Sequence, residues 1–366
     1  MEIKIPVYRP WLAGNEKKYV NECLDSTWIS SKGKFIPLFE QRFAEYLGVR
    51  HAASVCNGTV ALHAALLALG AGPGDEVIVP TLTYIASVNA IAYTGASPVF
   101  VDSLADTWQM DPDDVQKKIT PKTKAIMAVH LYGHPCQMDM LGELSKKHRI
   151  YLIEDCAEAL GSEFKGKKVG AFGDIATFSF FGNKTVTTGE GGMVVTNDET
   201  LHDRVAHFKG QGLAKRREYW HDVIGYNYRM TNICAAIGLA QLERVNETIA
   251  RKRRIAEQYR ELLRELPVTF HGEQKGTFNT FWMCSILTPK AEQRDPLRES
   301  LKQSGIETRP LFYPAHTMPM YSQKFQKHPV AEDLGWRGIN LPSYPELTGQ
   351  DIMLICDTVK SFFAIK

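Results

Sequence analysis

Over roughly its first two-thirds the chain alternates short apolar runs with helix-period patterns. Runs at 51–56, 76–79, 98–102, 125–131, 150–155, 175–180 and 193–196 are apolar and bounded by turn residues, and they predict seven strands. Between them, 38–47, 60–69, 85–93 and 140–147 carry helical spacing, with Gly48 and Gly70 as stops. Continuous apolar strands interleaved with helices predict an α/β fold, a mainly parallel seven-stranded sheet covered on both faces. Beyond about residue 235 the rhythm changes. Residues 235–266 read as one long helix or a broken pair, followed by strand candidates at 267–270, 281–287 and 306–311. The expected division is a large domain with an N-terminal arm, 1–245, and a smaller C-terminal α+β domain, 246–366. On the long helix, Ile249, Ile255, Tyr259, Leu262 and Leu263 form the apolar stripe, and Arg251, Lys252, Arg253 and Arg254 are expected on a solvated face.

Composition narrows the function classes. The 366 residues are 44% hydrophobic and 23% charged, with a net charge of +2, so no electrostatic case exists for nucleic acid or an anionic membrane. No apolar stretch approaches the ~20 residues of a membrane span, and the first residues lack the apolar core of a signal peptide. The seven cysteines are scattered without a CxxC pair, which fits reduced thiols in a cytoplasm.

The chemistry concentrates where predicted strands end. Lys184 follows an apolar strand and precedes a glycine-rich turn, Gly189-Glu190-Gly191-Gly192. Burial disfavours an ammonium, so a lysine held there is a candidate nucleophile and base. Asp155 ends a neighbouring strand. A carboxylate at one strand end and a lysine past another is the pairing that pyridoxal 5′-phosphate requires, one for the pyridinium proton and one for the aldehyde. Asn57-Gly58-Thr59 lies between a strand and a helix, where free N–H groups suit a phosphate. Tyr84 opens a helix after a strand, Ser179 ends the strand before Lys184, and Glu158 follows Asp155. Separately each has an ordinary explanation: a helix cap, a core tyrosine, a strand serine. Together they fall on the carboxyl edge of one sheet, where open α/β sheets bind ligands. Rival motifs fail. Gly70-Ala71-Gly72 follows a helix instead of a strand, in the wrong order for a dinucleotide loop. His130, His134 and Cys136 are interrupted by Gly133 and Pro135, so no metal is expected.

These segments, with Gly225 to Met230 and Leu341-Pro342-Ser343-Tyr344-Pro345, resemble the sugar aminotransferases of the DegT/DnrJ/EryC1/StrS type nearly end to end. The resemblance implies the aspartate-aminotransferase fold (fold type I) and a pyridoxal 5′-phosphate enzyme cycling through pyridoxamine phosphate. It implies an internal aldimine on Lys184, Asp155 at the pyridine nitrogen, Tyr84 on the ring, and Gly58, Thr59 and Ser179 at the phosphate. Asn227 would reach the phosphate of a neighbouring subunit, making a homodimer with shared sites. Glu158 departs from the Gln or His common at that position, and a carboxylate beside a phenolate repels it unless one is protonated. Within the family the nearest resemblance, through 180–185, 218–222 and 307–321, is to members that aminate C4 of a GDP-linked 4-keto-6-deoxy sugar with glutamate as donor. It places Tyr313, His316 and Tyr321 among the nucleotide-sugar contacts, with 28–33 along the same cleft. Nothing in the residues themselves selects guanine over uracil or thymine. Family members that dehydrate sugars carry histidine where this chain has Lys184.

Overall fold

The computed structural model describes residues 3–364; Met1, Glu2, Ile365 and Lys366 lie outside them. Strands β1 (His51–Val55), β2 (Glu76–Pro80), β3 (Ser97–Val101), β4 (Thr123–Val129), β5 (Tyr151–Asp155), β6 (Ile175–Ser179) and β7 (Gly192–Thr196) form one sheet. The order across it is β1-β7-β6-β5-β4-β2-β3. Only β7 runs against its neighbours; β2, β3, β4, β5 and β6 pair in parallel. The resulting fold is the mainly parallel α/β arrangement expected from the sequence.

Alternation along each strand divides the core. Val77 and Val79 face the helices Gly58–Leu69 and Ile85–Tyr93, packing with Leu62, Leu66, Val88 and Ile91. Ile78 turns to the opposite face, against Leu141 and Leu144 of helix Met138–His148. The helix Phe35–Leu47 covers the β6–β7 side, where Phe39 and Phe43 meet the rings of Phe178 and Phe180. It ends at Gly48, whose left-handed φ of 75° suits a residue without Cβ. Because both faces are covered, the strands are mainly apolar, which makes all seven legible.

The second sheet is antiparallel, with strands Thr269–Phe270, Cys284–Leu287, Gly338–Leu341 and Arg309–Pro310 in that spatial order. The segment 338–341 was not expected as a strand, although it is central. Its four residues follow directly on a helix ending at Arg337, too short a run to show alternation. Ile286, Ile339 and Leu341 share a core with Ile255, Tyr259 and Leu263 and with Ile5 of the N-terminal arm.

The long helical stretch is a broken pair, Asn232–Leu242 and Val245–Leu263. Here the basic run differs from expectation. Lys252 is completely buried and its Nζ donates to the Ser343 carbonyl at 2.7 Å. Arg253 is half-buried and pairs with Glu273. Lys252 lies one turn from Ile249, Ile255 and Ala256, on the buried face of this helix, while Arg254 stays exposed as expected.

Candidate active site

The carboxyl ends of β4, β5 and β6 open onto a cavity of about 600 Å³. Asp155, Glu158, Lys184, Ser179, Gly58, Thr59 and Tyr84 all line it, as do Ser87 and Trp282. At the phosphate end, the helix Gly58–Leu69 is capped by Asn57, whose side chain accepts the Val60 N–H. That leaves the first-turn N–H groups of Gly58 and Thr59 without intrahelical acceptors. A Cβ on Gly58 would stand 2.7 Å from Ser179 Cβ, so glycine is what lets the helix start meet the end of β6.

Asp155 forms the floor. It is buried, and its two oxygens accept from Ser87 Oγ (2.7 Å) and the Ala157 N–H (3.1 Å). Burial raises its pKa, and these hydrogen bonds and Lys184 oppose the rise. A cationic donor facing it would complete its compensation.

Lys184 occupies a clamped turn. Its N–H donates to the Phe181 carbonyl (2.9 Å), its own carbonyl accepts the Tyr8 hydroxyl (2.6 Å), and Trp282 Nε1 donates to the Asn183 carbonyl (2.7 Å). The Lys184 Nζ lies 3.6 Å from Glu158 Oε1 and 3.8 Å from the centre of the Trp282 ring. Burial lowers the lysine pKa, while Glu158 and Asp155 hold it up. Glu158 is pushed up to about 7 by burial, against the pull of Lys184 and of the Tyr132 N–H, which donates to Oε2 at 2.9 Å. Tyr132 makes that bond from a left-handed backbone (φ 54°), a costly conformation for a non-glycine residue. Glu158 and Lys184 are therefore coupled, each favouring the charged form of the other.

A second, outer cleft of about 730 Å³ adjoins the first and shares Tyr84, Phe181, Trp282 and Phe312 with it. Tyr313 and Arg309 line this outer cleft. Tyr84 is exposed at the junction, its ring tilted against Phe312. Three expected contacts lie elsewhere. His316 is buried, with Nδ1 at 2.7 Å from Thr81 Oγ1 and Nε2 at 3.3 Å from Glu332, so its ring nitrogens are occupied away from both clefts. Tyr321 is turned to Asn89 (2.8 Å). Trp28 and Gly33 border a separate hollow with Asn232. Asn227 is exposed, outside both cavities, and accepts from Arg229. Ser87, Tyr8, Tyr132 and Trp282 escaped the sequence reading, because each reaches the site through tertiary packing with no local spacing to mark it.

His130, Glu154 and Cys156 bring possible ligand atoms within 4.8 Å of one another. Their hydrogen bonds leave little for an ion. His130 Nδ1 accepts the Cys136 N–H (3.0 Å), which puts the ring proton on Nε2, beside Glu154 at 3.1 Å. Glu154 also accepts from the N–H groups of Gly170, Phe172 and Gly173. The trio is a knot that pins the 170–173 loop behind Asp155.

The cavity fits pyridoxal 5′-phosphate on its own terms. Thr177 Oγ1 and Asn183 Oδ1 belong to residues of its wall and are buried with no hydrogen-bond partner. It also offers an anion-ready helix start, a buried carboxylate floor and a largely buried amine. Comparison with known proteins agrees. The model of the DegT/DnrJ/EryC1/StrS aminotransferase family matches residues 10–360. GDP-perosamine synthase of Escherichia coli O157:H7 is 67% identical over 362 residues, 99% of each chain. The Vibrio cholerae GDP-perosamine synthase is 53% identical over 98% of this chain and 99% of its own. Among solved structures, Helicobacter pylori PseC, an aminotransferase involved in the biosynthesis of pseudoaminic acid, superposes with a TM-score of 0.94 at 30% identity over 100% of both chains. S. venezuelae DesV does so with a TM-score of 0.90 at 35% identity, over 95% of this chain and 94% of its own.

Proposed function

The chain belongs to the DegT/DnrJ/EryC1/StrS aminotransferase family, and on that premise we propose that it aminates C4 of GDP-4-keto-6-deoxymannose to give GDP-perosamine, with glutamate as amino donor. It is a pyridoxal phosphate-dependent sugar aminotransferase. The choice of sugar is supported by full-length relatives at 67% and 53% identity that carry the name GDP-perosamine synthase. The roles of the residues are supported above all by one observation: Lys184 Nζ, Glu158 and Asp155 face one cavity whose far end is the open start of a helix.

In this reading Gly58, Thr59 and Ser179 hold the cofactor phosphate, Asp155 accepts the pyridine N–H, and Tyr84 covers the ring from the cleft mouth. Lys184 anchors the cofactor through its amine. When bound, pyridoxal phosphate supplies the aldehyde for amine exchange and a ring that accepts electrons. Lys184 Nζ, freed by the incoming amine, takes the proton from the donor carbon and returns one to the sugar carbon in the second half of the cycle. Glu158, lifted to about 7 by burial, exchanges protons with that amine, and beside the phenolic oxygen of a bound cofactor it would have to be protonated. The outer cleft, with Arg309 and Tyr313, takes the nucleotide.

We also propose a homodimer. Asn227 is exposed, its side chain tied within the described chain only to Arg229, and the adjoining segment exposes Leu213, Tyr219, Trp220 and Ile224. Seven free thiols support a cytoplasmic location. Residues 1–245 and 246–366 are taken as the large and small domains.

Replacing Lys184 by Ala tests the site. The expected result is loss of both turnover and the visible absorption of the cofactor-loaded protein. Transamination at the normal rate in that variant would refute the assignment.

A further inference from the structure

Trp282 has no part in the scheme above, yet it is the side chain against which the Lys184 amine rests. The indole is nearly fully buried and fixed at both ends. Its Nε1 donates to the Asn183 carbonyl at 2.7 Å, and its ring lies parallel to Tyr132 at 6.1 Å with an interplanar angle of 8°. The Lys184 Nζ sits over the other part of this arrangement, 3.8 Å from the ring centre, with Glu158 Oε1 at 3.6 Å. An ammonium over an indole face is attracted by the ring's negative charge density, most strongly where water is excluded. The charged and titratable groups around the amine are few. Glu158 and Asp155 reach it from the end of β5 and the turn after it. Tyr8, from the N-terminal arm, meets the Lys184 carbonyl and not its amine. Tyr132 presents a backbone N–H to Glu158. None of these supplies a surface for the amine's apolar side; Trp282 does.

We propose that the Trp282 face is the docking place of the free Lys184 amine, holding it beside Glu158 whenever it is not bonded to the cofactor. Trp282 is then a positioning residue for proton transfer. This rests on the aminotransferase reading for its purpose, though the docking itself is a property of the chain alone. A lysine released by the incoming amine has four rotatable bonds and a large cavity to wander in. A ring face at 3.8 Å and a carboxyl group at 3.6 Å restrict it to one station. Tryptophan suits the task better than phenylalanine, because its ring binds cations more strongly.

The test uses cofactor-free, full-length protein. Labelling of Lys184 by trinitrobenzenesulfonate is followed against pH and located by peptide mass spectrometry. The plateau rate reports access to the amine; the midpoint reports how strongly the ammonium form is held. In Trp282→Leu the midpoint should move to lower pH, so that below the midpoint Lys184 labels about 3- to 30-fold faster than in the parent after correction for the plateau. Trp282→Phe should fall between the two, and it decides the matter alone if the leucine variant does not fold. In the loaded enzyme the same order, Trp above Phe above Leu, should appear in kcat, with a smaller change in KM. A midpoint that stays or rises in both variants would overturn the proposal. Failure of the parent protein to take up pyridoxal phosphate would instead overturn the proposed function and leave the midpoints unaffected.

Discussion

Replacing Glu158 by Gln should make the cofactor-free protein more stable, and more so at high pH. The side chain is almost wholly buried, with one oxygen on the Tyr132 N–H and the other 3.6 Å from the Lys184 amine. Burial lifts its pKa from the ordinary 4.5 to about 7 even with the lysine beside it. The folded state therefore binds a proton more tightly than the unfolded chain. Stability is fully present below the unfolded value and is lost as pH rises through the folded one. The lifted pKa corresponds to about 3 kcal/mol at pH 8 and about 1 kcal/mol at pH 5. Glutamine keeps the Tyr132 hydrogen bond, has nearly the same volume and never ionises, so it avoids this cost. For a chain of this length, about 3 kcal/mol is roughly 4 °C of melting temperature. Thermal melts of stripped parent and variant at pH 5 and pH 8 provide the assay. The variant's advantage should be about 4 °C at pH 8 and about 1 °C at pH 5. An offset independent of pH, or a less stable variant at pH 8, would mean that ionising Glu158 carries no such cost in the folded protein.

Gly58→Ala forces a Cβ to within 2.7 Å of Ser179 Cβ, and should weaken pyridoxal phosphate binding about tenfold or more in an absorbance titration; unchanged affinity would place the phosphate elsewhere. Lys252, pulled down to about 8 by burial, binds its proton less tightly in the folded state, so the parent gains stability as pH rises from 8 towards 10.5. The stability difference between Lys252→Met and the parent should therefore shift in the parent's favour by about 2 kcal/mol between pH 7.5 and 10, read from melts at the two values.

The large sheet was readable because its strands are buried on both faces and so are mainly apolar, with few polar positions such as Glu154. The active-site edge was readable for a related reason. Gly58, Asp155, Ser179 and Lys184 are polar or small residues that interrupt those runs at the same end of each strand. What stayed hidden depends on contacts between distant segments. Trp282 sits in an apolar run beside Phe281 and Met283 and differs from them only in what lies across the cleft. Lys252, by contrast, stands at helical spacing from Ile249, Ile255 and Tyr259, so the period itself puts it on the buried stripe, and only its charge makes it read as solvated. His316 and Tyr321 belong to a proline-rich segment whose side chains are committed to Thr81, Glu332 and Asn89. No local pattern encodes those partners.

Amination of a GDP-linked ketosugar is read from the mass of the product. Incubated with GDP-4-keto-6-deoxymannose and glutamate, the loaded enzyme should yield a GDP-sugar in which the ketone oxygen has been replaced by an amine, with 2-oxoglutarate formed in equal amount. No aminated GDP product, with amination of a UDP- or dTDP-linked ketosugar instead, would contradict the claim.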